Sequence, residues 1–211
     1  MGSCGHKMKK LATNIWIHDH ITHLEDGRKL PLRLTAVQLS NKKLWIHAPT
    51  PLSNILKIQL SNIGDVGYLF SGNNLHNMFF MDWVETYPQA EAWVTPGIPE
   101  KLPNLDNYSV LKENIWTDDF DATSMKEVPK FDETVFYHYA SKSLIVTDLV
   151  QNDAKRGTYL APPLLKEGTI QDQKAFKDFI THIKTWDFNR IVVTHGDIVE
   201  VQAKQKFRNI L

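Results

Sequence analysis

The stretch Thr134–Asp148, TVFYHYASKSLIVTD, constrains the fold more than any other part of the chain. Two runs rich in β-branched and aromatic residues, TVFYHY and SLIVTD, flank a short polar turn at 140–143, the pattern of a β-hairpin. Each strand carries one side chain able to hold a metal, His138 on the first and Asp148 at the end of the second. A further apolar run, RIVVTHG at 190–196, delivers His195 in the same way. Buried strands that present a histidine or carboxylate at their ends build sites along one edge of a sheet. Buried strands with ordinary polar termini are the alternative from sequence alone.

At 211 residues the chain is long enough for one domain with a sizeable core. Residues 1–13 are expected to be a disordered or vector-derived N-terminus, and 14–211 a single domain; Cys4 and His6 receive no role. With 24 basic and 24 acidic residues there is no charge excess to attract nucleic acid or an anionic membrane. No apolar run approaches the ~18 residues of a membrane span. The opening MGSCGHKMKK leads into no apolar segment, so a soluble, cytoplasmic protein is expected. Cys4 is the one cysteine, which excludes an intrachain disulfide framework and a thiolate-rich zinc site. Any metal here must use His, Asp or Glu.

Apolar periodicity predicts strands over 14–18, 32–39, 43–47, 65–70, 91–94, the hairpin and 190–194. It predicts helices over 52–62, 75–87, 172–186 and 199–210, with Asn74 as the N-cap of the second. Residues 19–29 read as a polar segment ending in a DGRK turn, and 95–105 and 151–168 as loops. Residues 108–129 are ambiguous, with 114–117 their strand-like piece. This order fits neither a doubly wound sheet nor a bundle. It fits two mixed sheets packed face to face with helices outside.

Of the nine histidines, His18 ends the strand over 14–18 and would pair with His20 as metal ligands only if that strand continued; the favoured alternative for the His18, His20 and His23 cluster in IHDHITH is a solvated loop, and His182 reads as a surface residue of a helix. His47 ends a strand, His76 follows one in LFSGNNLHNMF, His138 lies on the hairpin and His195 precedes Gly196. With Asp148 they make an imidazole and carboxylate set suited to zinc, iron or manganese.

The segments LWIHAPTPL, NNLHNMFFMDW, FYHYASKSLIVTDLV and WDFNRIVVTHG resemble the domain-of-unknown-function family 4336, which is related to the metallo-β-lactamase fold. The resemblance covers most of residues 32–211. It implies an α/β, four-layer αβ/βα sandwich of mixed sheets with a metal site at one sheet edge. It also implies losses. If His76 ends the family's HxHxDH motif, its two earlier histidines fall on Ser71 and Asn73 and its aspartate on Leu75. One metal site then keeps only His138 and Asp148. The other keeps His76, Asp148 and His195. The implied ligand set is therefore His76, His138, Asp148 and His195 around one divalent metal, zinc before iron, or none, with His47 and Asn73 lining the site. The functions this admits are a metal-dependent hydrolase of a small molecule, a non-catalytic ligand- or partner-binding protein, and an iron-dependent oxidoreductase. The resemblance assigns no catalytic residue beyond the ligands.

Overall fold

The computed structural model describes residues 7–126, 128 and 131–210. The first seven strands are β1 (Lys9–Ala12), β2 (Ile15–His23), β3 (Lys29–Gln38), β4 (Leu44–His47), β5 (Val66–Ser71), β6 (Glu91–Val94) and β7 (Tyr108–Val110), and they form one sheet in chain order. The remaining strands are β8 (Phe120–Ser124), β9 (Thr134–His138), β10 (Ser143–Ile145), β11 (Val150–Asp153), β12 (Gly157–Leu160) and β13 (Arg190–Val192). A second sheet has the order β13-β10-β9-β8, and β11–β12 is a separate hairpin. The helices are α1 (Asn54–Ser61), α2 (Phe80–Thr86), α3 (Gln173–Thr185) and α4 (Ala203–Asn209).

Alternation along the strands sorts the core into three layers, because successive side chains leave opposite faces of a strand. Trp45, Phe70, Phe136, Ile145 and Val192 fill the space between the sheets. Leu44, Ile46 and Leu69 turn the other way, onto Leu56 and Leu60 of α1 and Phe80 and Trp83 of α2. Val135, Leu144 and Ile191 meet Phe176, Phe179, Ile180 and Ile183 of α3 and Phe207 of α4. Helix, sheet, sheet, helix is the four-layer sandwich expected from the sequence.

The differences lie at polar ends and short strands. β2 continues to His23 and pairs with β3 throughout, so His18, His20 and His23 sit on a strand and not in a solvated loop. Backbone pairing to β3 holds this outer part of the hairpin although alternate residues are exposed. Lys9–Ala12 pair with β2, so the sheet begins before residue 14; residues 1–6 lie outside the described residues. The strand within 108–129 is β8, at 120–124, with β7 at the start, and 114–117 is not a strand. The expected loop after 151 contains most of β11 and all of β12. Residues 75–79 are in turns and α2 starts at Phe80, so Asn74 is not its N-cap.

Parallel pairing decides where the site forms. β4 pairs with β5, and β10 with β13, in parallel, and the contact of Thr147, past β10, with His47, at the end of β4, brings the C-terminal ends of both pairs to one edge. Loops leaving these ends carry residues 72–79, 146–149 and 193–196.

Candidate metal centre

Register alone brings Asp148 and His195 together. Ile145 pairs with Val192 across the parallel β10 and β13. Asp148 and His195 each lie three residues beyond those partners, so both leave the sheet at the same height. His76 reaches them from the loop after β5. His195 Nε2 lies 3.0 Å from His76 Nε2 and 3.2 Å from Asp148 Oδ1. His76 Nε2 lies 3.1 Å from Asp148 Oδ2. Ligands ~2.1 Å from a tetrahedral ion stand about 3.4 Å apart; one donor atom from each of the three residues lies within 4.8 Å of the others, close enough to share one metal. Among the described residues it is the one group of three or more His, Cys, Asp or Glu placed to share an ion.

The surroundings aim each donor. His195 Nδ1 is 2.6 Å from the carbonyl oxygen of Pro31. A carbonyl only accepts, so Nδ1 carries the proton and, in the neutral ring, Nε2 presents its lone pair to the centre. Arg33 holds the same loop, donating through one guanidinium nitrogen to the Val193 carbonyl at 2.7 Å and the Gly196 carbonyl at 2.8 Å. Gly196 has φ 91°, and a Cβ there would collide with the Asn152 carbonyl oxygen. Only glycine suits both demands.

Asn73 organises the His76 loop. Its Oδ1 accepts from the amides of Leu75 at 2.9 Å and His76 at 3.0 Å, while its Nδ2 donates to Asp148 Oδ2 at 2.8 Å. One side chain thus folds the turn before His76 and fixes the carboxylate opposite. This role explains why residues 75–79 turn and do not continue α2. Ser71 Oγ donates to the carbonyls of Asn73 and His76.

Glu133, which the sequence reading did not single out, is fully buried. Its Oε1 accepts from the Thr147 amide at 2.7 Å, and its Oε2 from the amides of Asp148 and Leu149, both at 2.8 Å. The signal was available in the register. β9 and β10 are antiparallel, so the residue entering β9 stands beside the residues leaving β10.

The same geometry separates His138 from the site, contrary to the expected ligand set. His138 pairs with Ser143 at the start of β10. Asp148 lies five residues further on, about 16 Å along the chain at ~3.3 Å per residue. His138 is buried there, with Nδ1 2.7 Å from Ser141 Oγ and its ring against Phe120. His47 is a neighbour of the centre and not a member of it. It stacks on Trp45 and Phe70, and its Nε2 lies 3.1 Å from Thr147 Oγ1. Leu75 is half-exposed at the mouth of the site.

Charge follows the geometry. Burial would push the Asp148 carboxyl up, but the charge of His76 and hydrogen bonds from both histidines outweigh it and hold Asp148 well below the carboxylate range. Burial pulls His195 down, and its hydrogen bond to Asp148 together with that charge leaves it above its ordinary value. Burial, then the charge of Asp148, pushes Glu133 up to about 8 against the pull of its three amides. Burial, then the charge of His76, drops His47 to about 3.

A family model described as a domain of unknown function (DUF4336) matches residues 12–156, more than half of the chain. The chain belongs to the DUF4336 family. No curated protein matches it in sequence. Solved structures match over nearly the whole length. The metallo-β-lactamase DIM-1, exposed to ceftazidime, superposes with a TM-score of 0.70 at 13% identity, covering 97% of this chain and 95% of its own. TMB-1 gives 0.71 at 14% identity, covering 98% and 96%. FIM-1 from Pseudomonas aeruginosa, in its mono-zinc form, gives 0.66 at 10% identity, covering 96% and 92%. At such identities the likeness establishes the metallo-β-lactamase fold of this DUF4336 chain and nothing finer. Among the described residues no helix is long and apolar enough to cross a membrane.

Proposed function

We propose that this DUF4336 protein is a metal-dependent hydrolase holding one divalent ion, zinc before iron, on His76, Asp148 and His195. The observation that supports this most is the hydrogen bond from His195 Nδ1 to the Pro31 carbonyl. It commits the ring proton to the far side and leaves Nε2 for a cation, the arrangement that metal-binding histidines share. When bound, the ion would supply Lewis acidity toward a carbonyl or phosphoryl group and would acidify water.

The chain's own residues do the rest. Asp148 stays ionised and supplies the negative charge of the set. Asn73 and Glu133 fix its direction from the side chain and the backbone respectively. The walls of the adjoining cleft, Leu30, Leu32, Pro49 and Phe79 among them, limit water at the centre. Among the described residues no titratable side chain besides the three donors lines that cleft, so the protein contributes no separate general base there. The same proposal has the protein act on a small molecule in the cytoplasm, without nucleic acid or membrane, in keeping with its balanced charge.

The test is hydrolysis of a panel of ester, thioester and phosphodiester substrates before and after chelation. Turnover lost on chelation and restored by zinc supports the reading. Turnover indifferent to chelator refutes it. Two histidines and one carboxylate also suit non-haem iron(II). Iron retained by freshly purified protein, with redox activity in place of hydrolysis, would select that second reading.

A further inference from the structure

Beside the three donors a cleft of about 190 Å³ opens to solvent. Its walls come from three parts of the chain. Leu30 and Leu32 belong to β3, Pro49 follows β4, and Leu75, Met78 and Phe79 come from the turns before α2. His76, Asp148 and His195 complete its lining. Leu75 is 50% exposed and Met78 60% exposed. Single exposed apolar residues are ordinary. Two of them on the lip of one apolar cleft, beside convergent polar groups, follow the pattern of a ligand pocket.

We infer that this cleft seats a compact, uncharged, apolar group of the ligand, a monocyclic aromatic or branched alkyl moiety, whose polar atom meets the three donors. That anchoring contact rests on the proposed metal reading; the apolar seat does not. Size limits the occupant. An apolar cavity of about 150 Å³ holds benzene, whereas whole drug-sized ligands need roughly 300 Å³ or more. The cleft therefore takes one ring or its equivalent, and neither a peptide segment nor a long acyl chain.

Charge limits it too. Among the described residues no Lys, Arg or Glu lines the cleft. An anionic group would lose its hydration with no counter-charge and would face Asp148. A cationic group finds Asp148 already engaged by His76, His195 and Asn73.

The test compares benzohydroxamate with acetohydroxamate on the zinc-loaded full-length chain. Affinity is measured by calorimetry, and the Met78 methyl group is followed by NMR, its signal assigned with Met78→Leu. The ring should improve affinity by about tenfold or more, the factor for roughly two methylene equivalents leaving water, and should shift the Met78 methyl signal. Met78→Asp and, separately, Leu75→Asn change exposed side chains. Each should erase the ring's advantage while acetohydroxamate binds as before. Equal affinities for the two probes, or a Met78 signal that the ring leaves unmoved, would overturn the inference and leave the metal reading standing. If the chain takes up no zinc, the metal reading fails, and neutral benzyl alcohol on the metal-free chain decides the seat. A saturating shift at Met78 supports it, and no shift overturns it.

Discussion

Replacing Glu133 by Gln tests how the centre is held, because the change keeps shape and removes one acceptor oxygen. Above about pH 8, where Glu133 is ionised, its two carboxylate oxygens take three backbone amides at 2.7, 2.8 and 2.8 Å. Glutamine has one oxygen and one NH2 group. In its better orientation the oxygen keeps the amides of Asp148 and Leu149, and the NH2 is forced against the amide of Thr147. That leaves two buried donor groups unsatisfied, the Thr147 amide and the new NH2, at about 1–3 kcal/mol each, and the remaining bonds lose their charge assistance. Relief of repulsion with Asp148 offsets part of this. The net expectation is a loss of about 2–4 kcal/mol, or a Tm lower by roughly 5–15 °C for a chain of this size. Zinc affinity should fall by about 10–100-fold, the usual consequence of disturbing a group that orients a ligand. Thermal denaturation of the metal-free protein at about pH 9, where Glu133 is ionised, gives the first quantity, and competition with a chromophoric chelator at the same pH gives the second. A Glu133→Gln variant as stable as the native protein, within about 0.5 kcal/mol, would refute the cradle. Lower stability with unchanged zinc affinity would show that the cradle supports the fold and not the centre.

Other expectations follow from the same structure. Burial holds His47 near 3 and His138 near 4, so the unfolded chain binds more protons than the folded one between those values and about 6.5. The contribution of these two rings to stability should therefore fall as pH drops below about 6.5, by about 2 kcal/mol per histidine at about pH 5. His195, held above its ordinary value, and Glu133, pushed up to about 8, work the opposite way over this range. Urea denaturation at about pH 7 and about pH 5 measures the sum, and His138→Gln should flatten the dependence. A His138→Gln variant whose change in stability between about pH 7 and about pH 5 equalled the native protein's would contradict the burial of that ring. Asn73→Ala removes a buried donor to Asp148 and the one oxygen that accepts both turn amides, so zinc affinity should fall at least about tenfold by competition titration. His138→Ala should leave zinc stoichiometry unchanged, since its ring lies at the far end of β10. A loss of zinc in that variant would reject the antiparallel register.

What the sequence made legible was local and periodic. The alternating runs of β4, β5, β9, β10 and β13 gave the two sheets, and the spacing of Phe176, Phe179, Ile180 and Ile183 gave α3. Asp148 and His195 were legible as a pair because each ends the same kind of strand. His138 misled for a reason that strand direction supplies. In an antiparallel hairpin the end of one strand faces the start of the other, so His138 and Asp148 cannot share an edge. Glu133 and Arg33 were not legible, because each acts on backbone carbonyls or amides that are distant in sequence and carry no side-chain signature. β11 and β12 were missed in a stretch of polar residues where ladder hydrogen bonds hold the strands and only the Val150–Leu160 end reaches the core. The shortened α2 shows local side-chain bonding overriding periodicity, since Asn73 captures the amides of Leu75 and His76.

The central claim is that His76, Asp148 and His195 form a single-ion site. Elemental analysis of the native chain and of Asp148→Ala, each equilibrated with zinc and freed of excess, tests it most directly. The expected result is one zinc per native chain and none in the variant, because Asp148 supplies the only negative charge among the three donors. Two zinc ions per chain, no zinc in the native protein, or full retention in Asp148→Ala would each contradict it.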